Sequence, residues 1–124
     1  MKLPETLCTF VQSKKLKELG YSTYTQYAWV ITPNHGPYLT DQYPGKDYNG
    51  IIEVIYAPTL IAAQYWFWNV YSIWIELLLK DGNKFQFTVI NNKNSDITVE
   101  TDFTLYNSPE RALDAAIDLI IENF

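Results

Sequence analysis

The sequence IWIELLLKDGNKFQFTV, residues 73–89, contains two apolar runs that alternate with period two and flank a turn at Gly82. Such alternation is typical of strands with one buried face, and a short loop containing glycine joins two such strands into a hairpin. A three-residue loop over 80–82 fixes the predicted register. That register pairs Leu77 with Phe85, Ile75 with Phe87 and Ile73 with Val89.

The segment before this hairpin predicts a helix from Thr59 to about Asn69, with Pro58 in its first turn. One apolar stripe at helical spacing forms the expected core face: Leu60, Ala63, Phe67 and Val70. A second stripe on another side of the helix consists of Ile61, Tyr65 and Trp68. A helix that is apolar nearly all round requires cover on more than one side. Either the turn-rich loop 33–50 lies over the second stripe, or the stripe is an exposed patch.

Upstream, Thr9 and Gln12 have the spacing of a capping box, which predicts a helix from about Phe10 to Leu19 that Gly20 ends. Residues rich in aromatic and β-branched side chains predict strands over 24–31 and 51–56. Turn-forming residues dominate the loop 33–50 between them.

Downstream, a second alternating segment predicts a strand over 97–105. Its apolar residues are expected to face the core: Ile97, Val99, Phe103 and Leu105. Ser108 and Pro109 then predict the start of a final helix. The apolar face of that helix consists of Ala112, Ala116, Ile117, Ile120 and Phe124. The predicted fold class is α+β, in the order α-β-β-α-β-β-β-α, with helices on one face of a mainly antiparallel sheet of about five strands.

Length and composition limit the class of protein. The chain has 124 residues, of which 48% are hydrophobic and 16% aromatic, and this favours one globular domain over residues 1–124. The net charge of −5 and a single arginine, Arg111, argue against general nucleic-acid binding. Cys8 is the only cysteine, and residues 1–5 lack the apolar region of a signal peptide, so we expect a cytoplasmic protein.

The uncharged segment Val54–Ile75 is long enough to cross a bilayer. Pro58, Gln64 and Asn69 interrupt it, however, and its aromatic residues lie at the centre, where a membrane span carries them at its ends. We therefore expect no membrane span.

Residues able to carry chemistry are few. Cys8 and His35 are the only pair that could serve as nucleophile and base, and Cys8 is more simply a packed apolar residue. Asp41, Asp47 and Glu53 flank the loop 33–50, but no metal-binding, phosphate-binding or protease motif is present. The prediction is a protein that is not an enzyme and that has no cofactor and no metal.

Binding residues are more prominent. Tyr38, Tyr43 and Tyr48 lie in the loop 33–50, and tyrosine is favoured in binding loops because it offers a large amphipathic contact at low entropic cost. These tyrosines either contact a partner or fold back over the core. Together with the second helix stripe they form the candidate interaction surface, whose members are Ile61, Tyr65, Trp68, Tyr38, Tyr43 and Tyr48.

Three segments carry a family resemblance: SKKLKELGY at 13–21, APTL at 57–60 followed by Trp66, and YNSPERALDAA at 106–116. In this order they resemble an uncharacterised family of small proteins from Bacteroides-type gut bacteria and their phages or mobile elements. The resemblance implies a shared fold and a bacterial, phage-like origin, and it brings no catalytic residues.

Three hypotheses for function follow. The first is a non-catalytic protein-interaction domain, in its simplest version a homodimer formed through one shared patch. The alternative is a small ligand-binding protein or enzyme that uses the Tyr-rich loop 33–50. A further alternative is an acidic inhibitor that presents Asp114, Asp118 and Glu122 to a basic partner.

Overall fold

Three helices and six strands make up the described part of the chain, which comprises residues 6–42, 53–93 and 96–124 of a computed structural model. The α+β class is confirmed. The single sheet of about five strands is wrong, because the strands form two antiparallel sheets with the orders β2-β1-β3 and β4-β5-β6. The elements are α1 Phe10–Glu18, β1 Tyr27–Thr32, β2 His35–Thr40, β3 Glu53–Ala57, α2 Leu60–Tyr71, β4 Ile73–Lys80, β5 Lys84–Lys93, β6 Asp96–Tyr106 and α3 Pro109–Glu122.

Each sheet belongs to its own compact unit. One unit is Cys8–Pro58, and the other joins Thr59–Phe124 with the residues that precede Cys8. The chain therefore passes from one unit to the other twice, at Leu7–Cys8 and at Pro58–Thr59. The prediction of one globular domain over residues 1–124 stays a prediction.

The unit Cys8–Pro58 corrects the interpretation of 33–50 as a loop. Its first part is a hairpin in which β2 pairs with β1, with Tyr38 opposite Val30. The strand was missed because Gly36 and Pro37 are turn formers in most contexts. Pro37 is tolerated here because β2 is an edge strand of the described sheet. Proline has no backbone N–H, and on the outer side of an edge strand no neighbouring strand needs that donor.

The core of this unit lies between α1 and the sheet. Trp29 and Ile55 are buried at its centre, and the ring of Phe10 meets that of Trp29 edge to face at 5.9 Å. The predicted start of α1 is confirmed, since Thr9 and Gln12 exchange the two hydrogen bonds of a capping box. Gly20 follows the helix with φ +111°, a conformation that L side chains rarely adopt.

In the unit Thr59–Phe124 the hairpin register differs from the predicted one by two residues. Leu77 pairs with Phe87, and Ile75 pairs with Val89. The loop begins one residue later than predicted, because Asn83 as well as Gly82 adopts positive φ, at 60° and 73°. Since the shift is even, the same side chains still face the core, and Ile73, Ile75 and Phe87 are buried.

Helices α2 and α3 cover this buried face. Ser108 caps α3 by accepting the Arg111 N–H at 3.1 Å, and Ala112, Ala116 and Ile117 are buried, all as predicted. In α2, Ala63 and Phe67 are buried as predicted, whereas Val70 is exposed. Thr59 is the N-cap of α2, so Pro58 lies before the helix rather than in its first turn.

The side chains of β6 lie on the opposite sheet faces from those predicted. Val99 lies opposite Ile90, and Ile90 lies opposite Trp74, so these three share the sheet face that is turned away from α2 and α3. The four side chains expected in the core are exposed instead: Ile97, Val99, Phe103 and Leu105. Alternation shows that a strand has two different faces, but here the helices cover the polar one, which carries Thr98 and Glu100.

No helix in the described residues combines the length and the apolar character that a membrane span needs.

Candidate interaction surface

The surface begins where α2 turns directly into β4. Ser72 ends the helix in a left-handed conformation, with φ 57°, and β4 starts at the next residue. The side-chain amide of Gln64 donates to the backbone carbonyl of Ile75 at 2.8 Å. Because β4 is an edge strand, this bond satisfies an outward-pointing carbonyl and holds α2 along that edge.

This position brings aromatic side chains of the helix against a tryptophan of the strand. The ring centroids of Tyr65 and Trp74 lie 5.8 Å apart, and those of Trp68 and Trp74 lie 6.1 Å apart. Both pairs are edge to face, with interplanar angles of 61° and 77°, the arrangement that ring quadrupoles favour. Trp74 therefore connects two surfaces. We call Ile61, Tyr65 and Trp68 the helix patch, and Trp74, Ile90, Ile97 and Val99 the open face.

A shallow groove of about 460 Å³ runs over the junction of the helix patch and the open face. Its lining is apolar except for one amide and the polar atoms of the aromatic rings. The lining residues are Tyr65, Trp68, Trp74, Ile90, Asn92 and Ile97.

The helix patch and the strand residues at the far side of the groove are well exposed. Exposure is 60% for Ile61, 53% for Tyr65 and 43% for Trp68. On β6 it is 66% for Ile97 and 62% for Val99. Isolated exposed apolar residues are common, but a contiguous group of this kind marks an interaction site on many soluble proteins.

Of the three candidate tyrosines of the loop 33–50, the structure describes only Tyr38. Tyr38 lies on β2, where its side chain is 41% exposed. Tyr43 and Tyr48 fall outside the described residues. Ile61, Tyr65 and Trp68 do share one side of α2, as their spacing predicts.

Sequence reasoning missed the β6 part of the open face, because it assigned Ile97 and Val99 to the core. The spacing of Ile97 and Val99 is the same as that of a core-facing strand, so nothing in β6 alone distinguishes the exposed face from the buried one. The available signal was the second stripe of α2, since an apolar helix side next to an apolar strand predicts a shared surface.

Of the residues singled out for catalysis, the structure describes the side-chain surroundings of Cys8 and Glu53. Cys8 is fully buried, an environment in which a thiol packs and is chemically inert. Of His35 the structure describes only the backbone, at the start of β2. Glu53 forms an ion pair with Lys17 at 3.1 Å, and Asp47 lies outside the described residues. Within residues 6–42, 53–93 and 96–124, no group of three or more metal-ligating side chains is positioned to hold an ion.

A bulge interrupts the pairing of β6 with β5 near the end of β6. Asp102 lies opposite Phe87, yet Tyr106 lies opposite Phe85, so the strand bulges between these two pairs. The Asp102 carboxylate holds the bulge by accepting the Thr104 N–H at 2.8 Å and the Tyr106 hydroxyl at 2.9 Å. The bond from the Thr104 backbone is the main reason that the pKa of the Asp102 carboxyl lies below its usual value.

Asp102→Asn is expected to destabilise the chain at pH 7 and to have no effect in acid. A lowered folded-state pKa stabilises the fold above the unfolded value of about 3.9, and this contribution is lost as the pH falls through the folded value. After allowance for solvent, the loss at pH 7 is about 1 kcal/mol. Urea unfolding of both proteins at pH 7 and at a pH well below the folded-state pKa, about pH 2, measures it. An equal difference at the two pH values would contradict the role given to the charge.

Comparison of the chain with protein-family models, with curated proteins and with solved structures finds no match.

Proposed function

We propose that this chain is a non-catalytic protein-interaction domain, and that it makes contact through the helix patch and the open face. The observation that carries the proposal is the continuous aromatic and aliphatic surface that Trp74 joins across α2, β4 and β6. The family resemblance of three segments of the chain supports an origin in a phage or mobile element of Bacteroides-type bacteria. We expect the domain to act in the cytoplasm.

The simplest partner is a second copy of the chain. At the exposures given above, each side chain of the helix patch presents roughly 100 Å². Together with the open face, the surface is somewhat smaller than the roughly 800 Å² that each partner contributes to a standard interface. Packing one open face against another buries both, in the manner of a two-sheet sandwich, and gives a closed two-fold dimer.

The molar mass in solution tests this proposal. Light scattering from micromolar to millimolar concentration is expected to show a dimer. The double variant Tyr65→Lys/Trp68→Glu places charges in the interface and is expected to raise the dimer dissociation constant by about tenfold or more. Val70→Glu is the matched control, because Val70 is also exposed on α2 but lies outside the helix patch.

A monomer at every concentration would overturn the self-association version. If the double variant and the Val70→Glu control dissociated equally, the dimer would form through another surface, and the role of the helix patch would be wrong. Circular dichroism of all variants checks whether each retains its fold.

A further inference from the structure

Strand β6 has one edge with no strand partner among residues 6–42, 53–93 and 96–124. The sheet order is β4-β5-β6, so β6 pairs only with β5. Every residue from Ile97 to Leu105 is exposed or half-exposed, although α3 approaches the face of the strand that carries Thr98 and Glu100. An edge of this kind presents backbone donors and acceptors that can pair with another extended chain.

The side chains along the regular part of this edge alternate in chemistry as well as in direction. Ile97 and Val99 belong to the open face, together with Thr101, whose hydroxyl lies 3.0 Å from that of Thr88. The opposite side of the strand carries Glu100 and Asp102, which lie opposite Val89 and Phe87. An added strand would therefore meet apolar groups on one face and two carboxylates on the other.

We infer that the β6 edge binds an extended segment of another protein in which basic residues alternate with apolar ones. Such a segment would form backbone hydrogen bonds with β6 and place lysine or arginine beside Glu100 and Asp102. Its apolar residues would extend the open face beyond Ile97 and Val99. Opposite charges on directly paired strand positions stabilise a pairing, and like charges destabilise it.

The same rule argues against a second copy at this edge. Antiparallel pairing of β6 with itself, centred on Glu100, Thr101 or Asp102, places carboxylates directly opposite each other. The resulting pairs are Glu100 with Glu100, Glu100 with Asp102 and Asp102 with Asp102. The β6 edge and the proposed dimer surface therefore select different partners, although they share Ile97 and Val99.

The bulge sets the length of the bound segment. Regular pairing with β5 runs from Asp96 to Asp102 and becomes irregular after it. A strand of about six residues fits this length, which is a common strand length in proteins. The pKa of the Asp102 carboxyl lies below its usual acidic value, so the group is ionised near neutral pH and its charge is available to a basic partner.

Three capped heptapeptides test the inference. The first alternates lysine with valine, the second alternates glutamate with valine, and the third has the composition of the first with its lysines contiguous. Titration calorimetry in low salt is expected to give a dissociation constant for the first peptide at least about tenfold below those of the other two. Hydrogen exchange is expected to slow at amides within residues 97–102 when the first peptide is bound.

A charge reversal identifies the edge. Glu100→Lys is expected to weaken binding of the lysine–valine peptide by about tenfold and to strengthen binding of the glutamate–valine peptide. The matched control is Glu122→Lys, which changes the net charge equally at an exposed position on α3.

Three results would overturn the inference: no binding of the lysine–valine peptide, equal binding of the contiguous-lysine peptide, or equal effects of Glu100→Lys and Glu122→Lys. Equal binding of the two lysine peptides would mean that attraction is electrostatic and needs no strand pairing. Because molar mass tests the dimer and peptide binding tests the edge, the two proposals can fail separately.

Discussion

Phe67→Ala is expected to lower the free energy of unfolding by about 3–5 kcal/mol, which is the range for truncating a buried phenylalanine. Phe67 is fully buried on α2, and its ring lies 6.2 Å from that of Phe124 and 5.3 Å from that of Trp66. Truncation removes these contacts and leaves a cavity between α2 and the sheet. In urea the midpoint is expected to fall by roughly 1.5–3 M.

The control is the neighbouring residue. Trp68→Ala removes a larger side chain, but Trp68 is exposed on the helix patch, so a loss of about 1 kcal/mol is expected. Equal losses for the two variants would mean that the core of α2 has been assigned to the wrong side. If Phe67→Ala does not fold, Phe67→Leu provides the same comparison with a loss of about 1–2 kcal/mol.

Leu16→Ala is expected to have an effect of similar size in the other unit, about 2–5 kcal/mol. Leu16 is fully buried on α1, and its carbonyl accepts the Tyr21 N–H at 2.8 Å just beyond the helix end. Hydrogen exchange resolved by residue measures the loss directly at the amides of β1 and β3.

Val11→Ala is the control on the same helix. Val11 is 67% exposed, so its truncation is expected to change stability by less than about 0.5 kcal/mol. Comparable effects of the two variants would contradict the packing of α1 on its sheet.

The sequence was sufficient for those features that depend on local chemistry. Thr9 with Gln12 predicted the start of α1, and Ser108 with Pro109 predicted the start of α3, because capping needs only residues a few positions apart. The apolar faces of β4 and β5 were also predicted correctly, although their register was two residues off. Asn83 can adopt the left-handed conformation almost as a glycine does, so the sequence leaves two positions for the loop.

The predictions that were wrong concern features that depend on which helices and strands pack together. Period two in β6 shows that Ile97 and Val99 share a face, but whether that face is covered depends on where α2 and α3 lie. Likewise, Pro37 lowers the strand propensity of 35–40, and only its place at a sheet edge makes β2 acceptable. For the candidate surface, helical spacing grouped Ile61, Tyr65 and Trp68, whereas the contact with Trp74 requires the turn at Ser72.

The two passages of the chain between its units have a consequence for how such a protein can evolve. The Cys8 N–H donates to the Pro58 carbonyl at 2.9 Å, so the two ends of the unit Cys8–Pro58 meet. In the other unit, the Leu60 N–H donates to the Thr6 carbonyl at 2.6 Å, so the flanking ends also meet. A segment with adjoining ends behaves as a cassette, because a gene can gain, lose or exchange it with little strain on the remaining chain. The open face and the β6 edge lie in the unit that contains Thr59–Phe124, so an exchange of the segment Cys8–Pro58 would leave both in the remaining chain.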